Sequence, residues 1–205
     1  MKTKILSFVT IAAIVLGIGN NTFAATKNDS AAKDNEISTI VPNVSKINKI
    51  EVRGNVELFV TDDTADQVKV YNRYYAESAL VQSQKGVLRI TSYAAQKLVV
   101  WVKASDLRSI TAYDNAEVKS FGKLSPIEMD INLHDNAYAK LDIDGYSANI
   151  TINDRAKADL SGNLTQCNLK YNRSATVNTT NFAAAQMIRT VNGINKNNAQ
   201  ALVGL

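Results

Sequence analysis

Three aspartates recur with the same neighbours at nearly constant spacing. Asp114-Asn115-Ala116, Asp135-Asn136-Ala137 and Asp154-Arg155-Ala156 are followed by a fourth set, Arg173-Ser174-Ala175. Tyr113, His134, Asn153 and Asn172 stand directly before them. Three kinds of chemistry fit such a series. Two carboxyl groups at about 5–5.5 Å, or at about 6.5–9.5 Å, can cleave a glycosidic bond. Carboxylate and amide oxygens together suit calcium. In the third reading each carboxylate accepts backbone N–H bonds at a turn, with Arg155 and Arg173 offsetting the like charges, and the series is a structural ladder. The ladder is favoured, because any stack of aspartates reproduces the carboxyl spacings. No dense Asp-x-Asp-x-Asp loop supports calcium either; the nearest string is Leu141–Gly145, "LDIDG". His134 is the single histidine and cannot alone build a zinc site. The expected set is therefore no catalytic residue and no metal ligand. The candidate binding face comprises Tyr113, Asp114, Asn115, His134, Asp135, Asn136, Asp154, Arg155 and Arg173.

Something must bring these residues together. Ala116, Ala137, Ala156 and Ala175 fall at intervals of 21, 19 and 19 residues. Around them the apolar positions alternate with period two, as in Ile127-x-Met129-x-Ile131 and Ala148-x-Ile150-x-Ile152, matched with a two-residue shift. A unit of this length made of short strands cannot bury its own apolar face. Stacked units can, each strand pairing with its counterpart at ~4.8 Å. The expectation is an all-β chain forming a parallel β-helix, or β-solenoid, with coils of about 19–21 residues. In it the alanines face inward at a sharp bend, and the aspartates turn the chain at left-handed angles. Cys167 falls on an inward position and reads as a small buried hydrophobe. The segment from Ala183 onward reads as a degenerate final coil that closes the stack.

The first half alternates too, without the column. Ile50, Val52, Val56, Leu58 and Val60 are split by Gly54-Asn55, and a second pair of strands surrounds Gly86. Residues 97–104, "KLVVWVKA", suit a strand buried on both faces. Trp101 is expected in the core, with Tyr71, Tyr74 and Tyr75 covering strand surfaces; the rival reading is an aromatic carbohydrate platform.

The ends and the charge set the location. Lys2 and Lys4, an apolar run from Ile5 to Gly19 and small residues before Ala25 read as a signal peptide over 1–24. A polar leader over 25–45 and one domain over 46–205 follow. No membrane span is expected once the signal leaves. Net charge falls from +4 to about +2 with Lys2 and Lys4, too little for nucleic acid. One cysteine excludes an internal disulfide.

The order "INKIEVRGNVELFVTDD", "GVLRI", "LVVWVKASDLRSITAYDNAEV" and then the repeated "DNA" and "DRA" turns resembles the bacterial head GIN domain of putative auto-transporter adhesins, over about residues 47–200. The turns of that family carry Gly-Ser-Gly or similar small residues; here they carry Asp114, Asp135 and Asp154. The resemblance implies an exported β-helical domain without a catalytic set. The expected function is a binding or adhesion-type module in the periplasm, at the cell surface or secreted, with a glycan or a surface protein as partner and no cofactor. A glycan-cleaving enzyme using the Asp column and a self-associating homo-oligomeric scaffold are the alternatives.

Overall fold

The computed structural model describes residues 38–42, 44, 46–71 and 79–192. The expected signal peptide, most of the leader, Tyr74, Tyr75 and the end of the expected final coil lie outside them. Among the described residues there is no helix, and thirteen strands form one curled, mixed sheet. They are β1 (Ser38–Ile40), β2 (Lys49–Gly54), β3 (Val56–Asp62), β4 (Gln67–Tyr71), β5 (Ala79–Gln84), β6 (Val87–Ser92) and β7 (Leu98–Ala104). There follow β8 (Ser109–Ala112), β9 (Glu117–Ser120), β10 (Glu128–Leu133), β11 (Tyr138–Ile152), β12 (Lys157–Asn172) and β13 (Thr176–Asn192).

Two ladders run through the sheet. One passes from β5 through β6, β2, β8 and β10 into the C-terminal halves of β11, β12 and β13. The other passes from β1 through β4, β7, β3 and β9 into the N-terminal halves of the same three strands. From β6 and β7 onward every pairing is parallel. In-register parallel pairing aligns residues one interval apart, so like side chains stack. Leu88, Ile50, Ile110, Ile131, Ile150 and Leu169 form one such buried column. Ala112, Leu133 and Ile152 form another, and Val118, Ala139 and Ala158 a third on the second ladder.

Several expectations need correction. The rungs do not stack in chain order: β2–β3 lies between β6–β7 and β8–β9. The sheet is not wholly parallel, because β1, β4 and β5 pair antiparallel at one end. Tight turns allow this. Lys85-Gly86 adopts φ of 51° and 80°, the geometry of a two-residue hairpin between β5 and β6. The two-residue shift is absent as well, since Met129 pairs with Ala148 and Ile131 with Ile150. The extra residues fall in the connection between β9 and β10, where Ile127 is 83% exposed. Finally, β7 buries only one face, and Trp101 lies on the other.

The two ends of the stack are finished differently. The β4 and β5 strands lie antiparallel over β7 and β6. At the other end β13 continues the inward column, but with Arg189 beside Leu169. The Arg189 guanidinium donates to the Thr179 hydroxyl at 2.8 Å and lies exposed on the last of the described rungs. An inward-pointing charge discourages a further strand from adding to the edge. Arg189→Leu is therefore expected to promote edge-to-edge association. Its molar mass by light scattering should rise with concentration more steeply than that of the unsubstituted chain.

A corner of stacked turns and a candidate functional site

The aspartate sets form the corner between the two ladders. Each corner is a four-residue turn. The Ala116 N–H donates to the Tyr113 carbonyl at 3.2 Å, Ala137 to His134 at 3.0 Å, Ala156 to Asn153 at 3.1 Å and Ala175 to Asn172 at 3.1 Å. Asp114, Asp135 and Asp154 adopt φ of 59°, 59° and 53°. Aspartate tolerates this left-handed conformation better than most residues because its short side chain bonds locally. Ala116, Ala137 and Ala156 are buried completely. Ala175, in the end rung, is only partly buried.

The carboxylates of Asp135 and Asp154 are tied to the backbone of the preceding rung. The Asp114 N–H donates to Asp135 Oδ2 at 3.0 Å, and the Asp135 N–H donates to Asp154 Oδ2 at 3.0 Å. In the other direction the Asn136 N–H reaches the Asp114 carbonyl at 3.0 Å and the Arg155 N–H the Asp135 carbonyl at 2.9 Å. The Ser174 hydroxyl donates to the Asp154 carbonyl. In the first rung the Tyr93 hydroxyl donates to Asp114 Oδ2 at 3.1 Å, and that bond raises the phenol's pKa above its ordinary value.

The candidate residues are thus brought together, with one exception and one change of role. Tyr113 and His134 stack at 4.8 Å between ring centroids, and Asn153 Nδ2 lies 3.4 Å from His134 Nδ1. Asn115 and Asn136 are exposed beside them. Arg155 does not offset the carboxylates: its Nε donates to Asn136 Oδ1 at 3.2 Å, one rung away. Arg173 is exposed, forms no ion pair with an aspartate among the described residues, and does not share their positive φ. The sequence reading missed Arg53, whose guanidinium sits 3.6 Å from the Tyr113 ring centroid, and Tyr93. Their signal lay in the rung order, since β2 and β6 reach this corner only because β2–β3 is inserted ahead of β8.

Chemically the corner is a hydrogen-bonded ladder. Among the described residues no three His, Cys, Asp or Glu side chains are grouped to hold a metal ion. Cys167 is 3% exposed between Ala148 and Met187, and burial pushes its thiol up. Asp135→Ala removes the acceptor for the Asp114 N–H and leaves an unassisted left-handed residue. It is expected to cost about 1–3 kcal/mol in urea unfolding, and Asp135→Asn under about 1 kcal/mol.

A second group of residues lies on the outer face of the second ladder. Phe59 and Trp101 are direct partners on β3 and β7, with rings stacked at 4.7 Å. Phe121 meets Trp101 at 5.0 Å, tilted by 59°, and Tyr71 meets it edge-on at 6.5 Å. Trp101 was expected in the core; alternation places it outward because Val100 and Val102 already fill the inward positions of β7. Nearby, a cleft of about 380 Å³ is lined by Asp62, Ser105, Asp106, Leu107, Arg108 and Ser125, and also by Pro126, Ile127 and Glu128. Arg108, then Lys46, hold the Asp106 carboxyl down to about 2.

Among the described residues a curled, mixed sheet without a helix makes this an all-β domain, and two of its aspartates are bonded into its own turns. The chain belongs to the family described as "Putative auto-transporter adhesin, head GIN domain", whose model matches residues 46–203. No curated protein matches it. Crystal structures that share the fold include the following three. A putative adhesin from Bacteroides fragilis is 14% identical, with a TM-score of 0.65 over 76% of this chain and 75% of that one. A protein from Parabacteroides distasonis, described as a putative lipid binding protein, is 10% identical, with a TM-score of 0.62 over 76% and 78%. A putative adhesin from Parabacteroides merdae is 14% identical, with a TM-score of 0.58 over 76% and 77%. No helix among the described residues is long and apolar enough to cross a membrane.

Proposed function

We propose that the protein is an exported, non-catalytic binding module of adhesion type, acting at the cell surface or in the periplasm. In this reading residues 1–24 are the export signal, 25–45 a spacer and 46–205 the working domain. The two parallel ladders serve as a short β-solenoid whose outer walls meet a glycan or a surface protein. The observation that carries the reading is the state of the aspartates. The Oδ2 atoms of Asp135 and Asp154 accept backbone amides, so they brace the wall instead of facing a substrate. Family membership supports the adhesion-type role. A lipid ligand fits less well, because an acyl chain needs an apolar cavity to enter and the inward positions are taken by the fully buried Ile50, Leu58, Ile110, Ile131 and Leu141.

The test compares binding with turnover. Purified protein should bind at least one member of a panel of glycans and surface proteins, and Asp135→Asn and Asp154→Asn should leave that binding intact. Release of reducing sugar from a polysaccharide, abolished by the same substitutions, would overturn the proposal in favour of the glycan-cleaving enzyme.

A further inference from the structure

We infer that the outer face of the second ladder carries a site for a neutral oligosaccharide, built from Trp101, Phe59 and Phe121 and running into the neighbouring cleft. This rests on the binding-module reading and names its ligand class.

Three observations converge. The first is an apolar surface left in solvent. Phe121 is 59% exposed and leans on Trp101, which is itself only partly covered by Phe59 and Tyr71. Aromatic rings held at a surface suit the C–H faces of sugar rings, which are apolar on one side and hydroxylated at the rim.

The second is the charge around the rings. Lys119 binds Glu57 at 2.5 Å and Glu117 at 3.1 Å, Lys97 binds Glu117 at 2.5 Å, and Lys103 binds Asp63 at 2.6 Å. Cations and carboxylates balance among these residues. Among the described residues Lys69, across from Trp101 on β4, forms no ion pair with a carboxylate. Paired groups of this kind are fixed in place and still present lone pairs and N–H donors. They can bond hydroxyl groups without selecting a charged ligand. A nucleic acid or a polyanion would want the opposite, a surplus of free cations.

The third is continuity. The ring-bearing segments run directly into the cleft wall. On β3 Phe59 is followed by Asp62, roughly 10 Å further along an extended strand. On β7 Trp101 is followed by Ser105 and Asp106, and beyond β9 Phe121 is followed by Ser125 and Pro126. A surface that passes from rings to a cleft of mixed polar and apolar lining is longer than one sugar unit, so the fitting ligand is an oligosaccharide.

The chain contains one tryptophan, so its fluorescence reports on this site alone. Full-length protein would be titrated with neutral hexasaccharides of glucose, mannose, xylose, galactose and N-acetylglucosamine. The expected result is a saturable change in Trp101 emission with at least one of them. Phe121→Ala should weaken it about tenfold, and Leu80→Ala, an exposed apolar side chain on β5 in the other ladder, should leave it unchanged. Circular dichroism confirms that each variant folds. A flat response to all five sugars overturns the site, as does a response only to a polyanion such as heparin or alginate. A change of emission on dilution without sugar overturns it too, by showing that a second copy covers the rings. Binding to a glycan or a surface protein that persists unaltered in Phe121→Ala would sink this site and leave the binding module standing.

Discussion

Gly54→Ala is expected to cost about 3 kcal/mol or more of unfolding free energy, against about 1 kcal/mol for Gly122→Ala. The two glycines share a backbone conformation, with φ of 82° and 81°. They differ in what a side chain would meet. A Cβ on Gly54 would lie 2.1 Å from the Ser92 carbonyl oxygen, whereas one on Gly122 would meet nothing within 4 Å. The Ser92 oxygen cannot retreat, since it accepts the Asn55 N–H at 2.6 Å and β6 is locked to β2 in register. Urea unfolding of both variants separates backbone strain, common to the pair, from collision, which belongs to Gly54 alone. Equal losses would mean that β6 does not lie beside β2 at this corner.

Ile131→Ala is expected to lose about 3–4 kcal/mol. Ile131 is completely buried, with Ile110 on one side and Ile150 on the other in the same inward column. Truncation removes apolar area and leaves a hole that parallel neighbours cannot close without breaking their register. The double variant Ile131→Ala/Ile150→Ala should depart from additivity by about 0.5 kcal/mol or more, while pairing Ile131→Ala with Val68→Ala should add. Val68 belongs to β4, at the far end of the other ladder. Thermodynamic independence of Ile131 and Ile150 would contradict the stacking.

The corner was legible in the sequence because it is local. A four-residue turn, a left-handed aspartate and a buried alanine follow from side-chain size and hydrogen-bonding reach within one rung. Their alignment across rungs follows from equal spacing. The position of β2–β3 was not legible, because strand order depends on which edges meet after the chain has doubled back, and Ile50 carries no mark that prefers Ile110 and Leu88 together. The same blindness hid Arg53 over Tyr113. Trp101 was misplaced for a different reason. In "LVVWVKA" Val99 and Trp101 are as apolar as the inward Leu98, Val100 and Val102, so the stretch reads as apolar on both sides until Lys103, which shares the Trp101 face and marks it as wet. The neighbouring rows repeat the mark, with Glu57 and Lys119 flanking Phe59 on that side. Arg173 looked like a fourth member of the aspartate column by spacing, but an arginine lacks the short oxygen that makes the left-handed angle tolerable.

The unequal treatment of the two ends makes the molecule extensible in one direction only. At the β4–β5 end, antiparallel strands and the out-of-sequence rung fix the start of the sheet. Any segment inserted there must disturb pairings between residues as far apart as Ile50 and Ile110. Toward Arg189 each rung touches only its predecessor and its successor. A duplicated rung spliced in after Asn172 would lengthen both walls by one strand spacing, ~4.8 Å, and leave Arg189 to terminate the new edge. The height of the wall is thus a quantity that duplication can adjust stepwise, while its foundation is inherited whole.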